Sequence, residues 1–110
     1  MSTYLFTFRA PDGYAPSAAT FQAWSAWQRE LGVRLRDRGN PGFAAARLGA
    51  SVSGTTLGGY SLIRAGHLDA AVALAHGCPL LGQNGAVEIC ELASHDDRFD
   101  SWLDAKGERR

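Results

Sequence analysis

The chain opens on a strict alternation: Tyr4, Phe6 and Phe8 lie on one side of an extended segment, Leu5 and Thr7 on the other. A period of two in residues of high β propensity predicts a strand over residues 3–9. Pro11-Asp12-Gly13 then reads as a turn, and Ser17 or Thr20 can cap a helix that follows Pro16. Phe21, Trp24, Gln28, Leu31 and Leu35 recur at helical spacing, with Trp27 widening the apolar stripe, so the helix is expected to run to about Arg38. Gly39-Asn40-Pro41-Gly42 ends it. The Ala-rich run 43–52 sits between two turn signals and is too short for a second good helix, which leaves it as the second strand. Residues 57–65, with Tyr60, Leu62 and Arg64 on one face, form the third strand and a hairpin with the second. Leu68, Ala71, Val72 and Ala75 give a short helix over residues 67–76, which Gly77 and Pro79 terminate. Residues 86–92 are apolar enough to be the fourth strand.

This βαββαβ order predicts an α+β, ferredoxin-like fold: a four-stranded antiparallel sheet with two helices on one face. Residues 1–93 make that domain, and 94–110 a C-terminal tail. The tail is acidic at Asp96, Asp97, Asp100 and Asp104, while Phe99, Trp102 and Leu103 give it the anchors of a short docked helix. One sheet face is left without helices. With Val87, Ile89 and the aromatics of the first strand, either face is expected to be too apolar for water, so a second copy should cover the open one as a homodimer.

Composition narrows the function classes more than it names one. In 110 residues, 11 basic side chains balance 11 acidic ones, which removes the broad positive field of a nucleic-acid or anionic-membrane binder. No stretch approaches the roughly 20 apolar residues that span a bilayer, and the first residues lack the pattern of a signal peptide, so a cytoplasmic protein is expected. Cys78 and Cys90 stand apart, without metal-ligand spacing, and read as reduced thiols. Neither a metal nor a cofactor is expected.

Gly58-Gly59-Tyr60-Ser61-Leu62-Ile63, then Leu68-Asp69-Ala70-Ala71, Gly77-Cys78-Pro79-Leu80 and Gly85-Ala86-Val87-Glu88-Ile89 together resemble the YCII-related family. With Tyr4-Leu5-Phe6 and the Gly39-Asn40-Pro41 turn, the resemblance covers roughly residues 3–92. It implies a dimeric α/β barrel, in which two ferredoxin-like sheets face each other. Many relatives carry an Asp-Gly-Pro-Phe box between the second and third strands; this chain has only Ser53-Gly54-Thr55-Thr56 there, so no role of that box transfers. Some members of the family resemble lyases or isomerases that use a His with an Asp.

Candidate chemistry starts from that pair of residue types, because imidazole titrates near neutrality and a carboxylate can orient it. His67 and Asp69 are two apart, and positions i and i+2 do not face each other on a helix. The simpler account places His67 at the helix start, with Asp69 complementing the positive helix end. His76, in the last turn, is either a dipole-complementing residue or an acid or base in a pocket. Glu88, which matches a Glu in the family's terminal strand motif, must face water, a cation or a cavity. Its pairing partners are Arg9, Arg47 or Arg64, each expected on another strand; Tyr60 is a core aromatic or a pocket donor. Two functions follow from these residues. The favoured one is a non-enzymatic dimeric module that binds a small metabolite or a protein partner. The other is a small lyase or isomerase acting on an anionic ring compound between sheet and helix, with His76 or His67 moving a proton and Arg9 or Arg47 holding the anion.

Overall fold

A computed structural model of the chain describes residues 1–50 and 53–93. It contains strands β1 (Ser2–Pro11), β2 (Leu35–Asp37), β3 (Thr55–Ala65) and β4 (Ala86–Glu91), and helices α1 (Ala18–Leu31) and α2 (Leu68–Ala75). Short 3₁₀ turns follow α1 at Gly32–Arg34 and precede β4 at Pro79–Gln83. The fold is α+β: the four strands form one open antiparallel sheet in the order β2-β3-β1-β4.

The alternation of β1 divides the molecule into two sides. Tyr4, Phe6 and Phe8 are buried against Trp27 and Leu31 of α1 and Ala71 and Ala75 of α2, so both helices cover the same face. Across the strands, Tyr4 pairs with Ile63 and Glu91, and Phe6 with Ser61 and Ile89. Val87 and Ile89 therefore join the aromatics on the helix side, and both pack against the core. The expectation that either face is strongly apolar is corrected accordingly: the open face carries Leu5, Thr7 and Arg9 of β1 beside Tyr60 and Leu62 of β3 and Glu88 and Cys90 of β4.

Helix α1 begins where Ser17 Oγ accepts the Thr20 amide at 3.2 Å. It stops about two turns short of the expected end near Arg38. Gly32 takes φ +55°, and its amide closes back on the Gln28 carbonyl, so the helix terminates after Leu31. Phe21, counted in the apolar stripe, is 62% exposed; the buried positions are Thr20, Trp27 and Leu31. Leu35, released from the helix, pairs with Ile63 as the start of β2.

The second strand is thus Leu35–Asp37 and not residues 43–52. Phe43 and Leu48 are 98% and 97% exposed, and residues 43–50 of the Ala-rich run form a loop. Its competitor for the sheet is the chain just before it. Beyond β2, the Ser61 hydroxyl donates to the Arg38 carbonyl, Pro41 bridges Gly59, and the Gly42 amide donates to the Gly58 carbonyl at 2.9 Å. That edge of β3 is occupied before the Ala-rich run begins. The approach is close enough to require glycine at two places: a Cβ on Gly39, at φ +72°, lies 1.7 Å from the Tyr60 carbonyl oxygen, and one on Gly59, at φ +152°, lies 2.8 Å from that of Asn40. The Gly58-Gly59 pair also carries a β-bulge, since the register with β1 shifts between Phe8 and Arg9.

Helix α2 has the expected length to within a residue at each end, but only Ala71 and Ala75 are buried; Leu68 and Val72 face outwards. The expected tail helix and His95 lie outside the described residues. No helix among the described residues is long and apolar enough to cross a membrane.

Candidate functional site

The loop that leaves β2 turns over the open face and makes a cleft of about 570 Å³ between itself and the sheet. Its floor is Thr7 and Arg9 of β1 with Leu57, Gly59 and Tyr60 of β3; its wall is Asn40, Pro41 and Gly42 followed by residues 44–47. The cleft is open to solvent and lies on the side of the sheet away from the helices. The expectation of a site between sheet and helix is corrected: that space is filled by the aromatic core, where Phe8 meets Trp24 edge-on with ring centroids 5.0 Å apart.

Two guanidinium groups converge at one end of the cleft. Arg9 donates from Nε to Thr55 Oγ1 at 2.9 Å and from Nη2 to the Thr55 carbonyl at 3.2 Å. Arg47 reaches the same carbonyl oxygen from the loop, and Thr56 Oγ1 at 3.3 Å, through its own Nη2. One carboxylate attends them: Asp12 Oδ1 lies 3.6 Å from Arg47 Nη2 and accepts the Thr56 hydroxyl at 2.6 Å. That is the one ion pair among the described residues. Two cations beside a single acidic group, held at the mouth of a cleft with an apolar wall, make a place where an anion gains charge-assisted hydrogen bonds.

Three of the residues singled out from sequence therefore meet, although Arg47 sits on a loop and not on a strand. Tyr60, 37% exposed, lines the cleft beside Thr7, its cross-strand partner. Glu88 pairs with Thr7 from the other side and is exposed on the same face, outside the cleft lining. His67, Asp69 and His76 belong to the helix layer. His67 is the N-cap of α2, its Nδ1 accepting the Ala70 amide at 3.2 Å; Asp69 stands in the first turn and His76 at the C-cap, and all three are exposed. The sheet separates them from the two arginines. Cys78 is buried, and burial pushes its thiol pKa up, away from a reactive thiolate. Among the described residues, no three His, Cys, Asp or Glu side chains are grouped to hold a metal ion.

Thr7, Asn40, Asp12, Thr55 and Thr56 take part in the site without having been singled out. Thr7 was legible as a polar residue on the open side of β1. Asp12 and the two threonines were hidden inside turn signals. No model of a known protein family matches this sequence, and none of the curated proteins compared with it does.

Proposed function

We propose that the chain is a YCII-related, dimeric module that binds a small anionic metabolite in the cleft on the open face of its sheet, without catalysing a reaction on it. The observation that carries the reading is the convergence of Arg9 and Arg47 on the Thr55 carbonyl, with Asp12 the one carboxylate paired with them among the described residues. A cleft of this volume is in the range of small-molecule sites. The strand order, with both helices on one face, supports the ferredoxin-like half of a dimeric α/β barrel. The lyase or isomerase alternative requires an imidazole within reach of the anion. His67 and His76 are exposed at the two ends of α2, on the helix side, which favours binding over proton transfer.

A thermal-shift screen with aromatic acids, lactones and nucleotides tests this. A ligand at 100 times its Kd adds about 2.7 kcal/mol, a rise in Tm of roughly 10 °C for a domain of this size. The expected hit is an acid whose shift disappears in Arg47→Gln and persists in His76→Ala. A shift lost in His76→Ala and kept in Arg47→Gln moves the reading to the enzyme, and no shift with any anion overturns it.

A further inference from the structure

We infer that the cleft selects a monocarboxylate carried on a compact apolar group, in preference to a phosphate ester or a dicarboxylate. The inference rests on the anion-binding reading above and adds the class of ligand. Its first support is charge. Arg9, Arg47 and Asp12 together leave one positive charge to be neutralised, which one carboxylate does. A dianion leaves an uncompensated negative charge, to which Asp12, held by the Thr56 hydroxyl at 2.6 Å on the far side of Arg47, adds its own.

Donor geometry is the second support. Arg9 uses Nε and Nη2 on Thr55, and Arg47 uses Nη2 on Thr55 and Thr56, so the Nη1 hydrogens of both guanidiniums have no partner among the described residues. Donors that remain on planar forks suit the two coplanar oxygens of a carboxylate.

The remaining lining sets the body of the ligand. Pro41, Ala44, Ala45, Leu57 and the ring of Tyr60 present mostly carbon to the cleft. An apolar ring or short alkyl chain loses water there at no polar cost, whereas a ribose or a sugar gains little from a carbon-rich wall.

Isothermal titration of the full chain with benzoate, hexanoate, benzamide, phenyl phosphate and phthalate tests the selection. Benzoate and hexanoate are expected to bind one per chain, and benzamide, phenyl phosphate and phthalate at least tenfold more weakly than benzoate. Arg47→Gln, an exposed position, is expected to weaken benzoate at least tenfold with its circular dichroism unchanged; Arg9→Gln does the same from the strand. Phenyl phosphate or phthalate binding as tightly as benzoate overturns the carboxylate selection and leaves the anion cleft standing. Benzamide binding as tightly as benzoate, or no binding by any of the anions, overturns both.

Discussion

The Tyr4 side chain is fully buried, and its hydroxyl donates to Glu91 Oε1 at 2.6 Å, closing the helix side of the sheet at the β1–β4 pair. The bond holds the phenol in its protonated form: first the hydrogen bond to Glu91 and then burial push its pKa up to about 12. An unfolded phenol titrates near 10, so between about pH 10 and pH 12 the unfolded chain releases a proton that the folded chain keeps. Stability from this group is complete below pH 10 and is lost as pH rises through 12. Urea midpoints of the protein and of Tyr4→Phe, compared from pH 8 to pH 12, are therefore expected to differ by an amount that is constant up to pH 10 and shrinks beyond it. A difference that does not change across this range would exclude the phenol proton as the cause. Single residues also decide whether the cleft has a wall. Gly39→Ala needs both a left-handed backbone and space that the Tyr60 carbonyl occupies, so it is expected to cost more than about 1 kcal/mol and to weaken ligand binding with it. Gly82→Ala meets nothing within 4 Å and serves as the control, expected within about 0.5 kcal/mol of the parent in the same denaturation series.

At the scale of elements, α1 is held to α2 and the sheet chiefly through Trp27. Its ring stacks on Phe6 with centroids 6.4 Å apart, and its Nε1 donates to the Leu74 carbonyl at 3.1 Å, near the C-terminus of α2. A Cβ on Gly77 would come 2.6 Å from the ring, so the turn after α2 is shaped around the indole. Trp27→Ala empties that site and leaves the Leu74 carbonyl with only the backbone amides of the helix end, Gly77 N–H at 3.4 Å among them, with an expected loss of about 3–5 kcal/mol, seen as a lower urea midpoint with the folding cooperativity retained. Elements with a strong local pattern were legible in the sequence. β1 shows its alternation plainly because one side is core and the other is not, and α2 is bounded by turn residues. β2 was not legible: three residues are too few to display a period of two, and Leu35 also fits the helical stripe before it. What ends α1 is a left-handed Gly32, a conformation that spacing alone does not reveal. The site was legible as residue types only. Arg9, Arg47 and Tyr60 could be named, but their meeting depends on Gly39 and Gly59 letting a loop lie against β3, a tertiary contact with no signature in either segment.

For the whole molecule, the question is what faces the open side of the sheet. Both helices lie on the other side, and Leu5, Leu62 and Cys90 stand in one cross-strand row on the open side with Thr7, Tyr60 and Glu88 in the next. A face of this kind is half apolar and half polar, so it tolerates water yet gains from being covered. The proposed second copy covers it, and because the cleft opens on the same face, the two events are linked: a partner sheet removes water from above Arg9 and Tyr60 and strengthens their contacts with an anion. Leu62→Glu separates the two roles. Leu62 is only half-buried within one chain, so a carboxylate there costs little in a monomer, while two copies face to face would bring like charges into the interface. Light scattering at micromolar concentration is expected to give a dimer for the parent and a folded monomer for the variant. Benzoate is expected to bind the variant more weakly and, by linkage, to raise the dimer fraction of the parent near its dissociation concentration. A parent protein that is already a monomer removes the second copy from the proposal. A variant that stays dimeric with unchanged affinity assigns the interface to another surface.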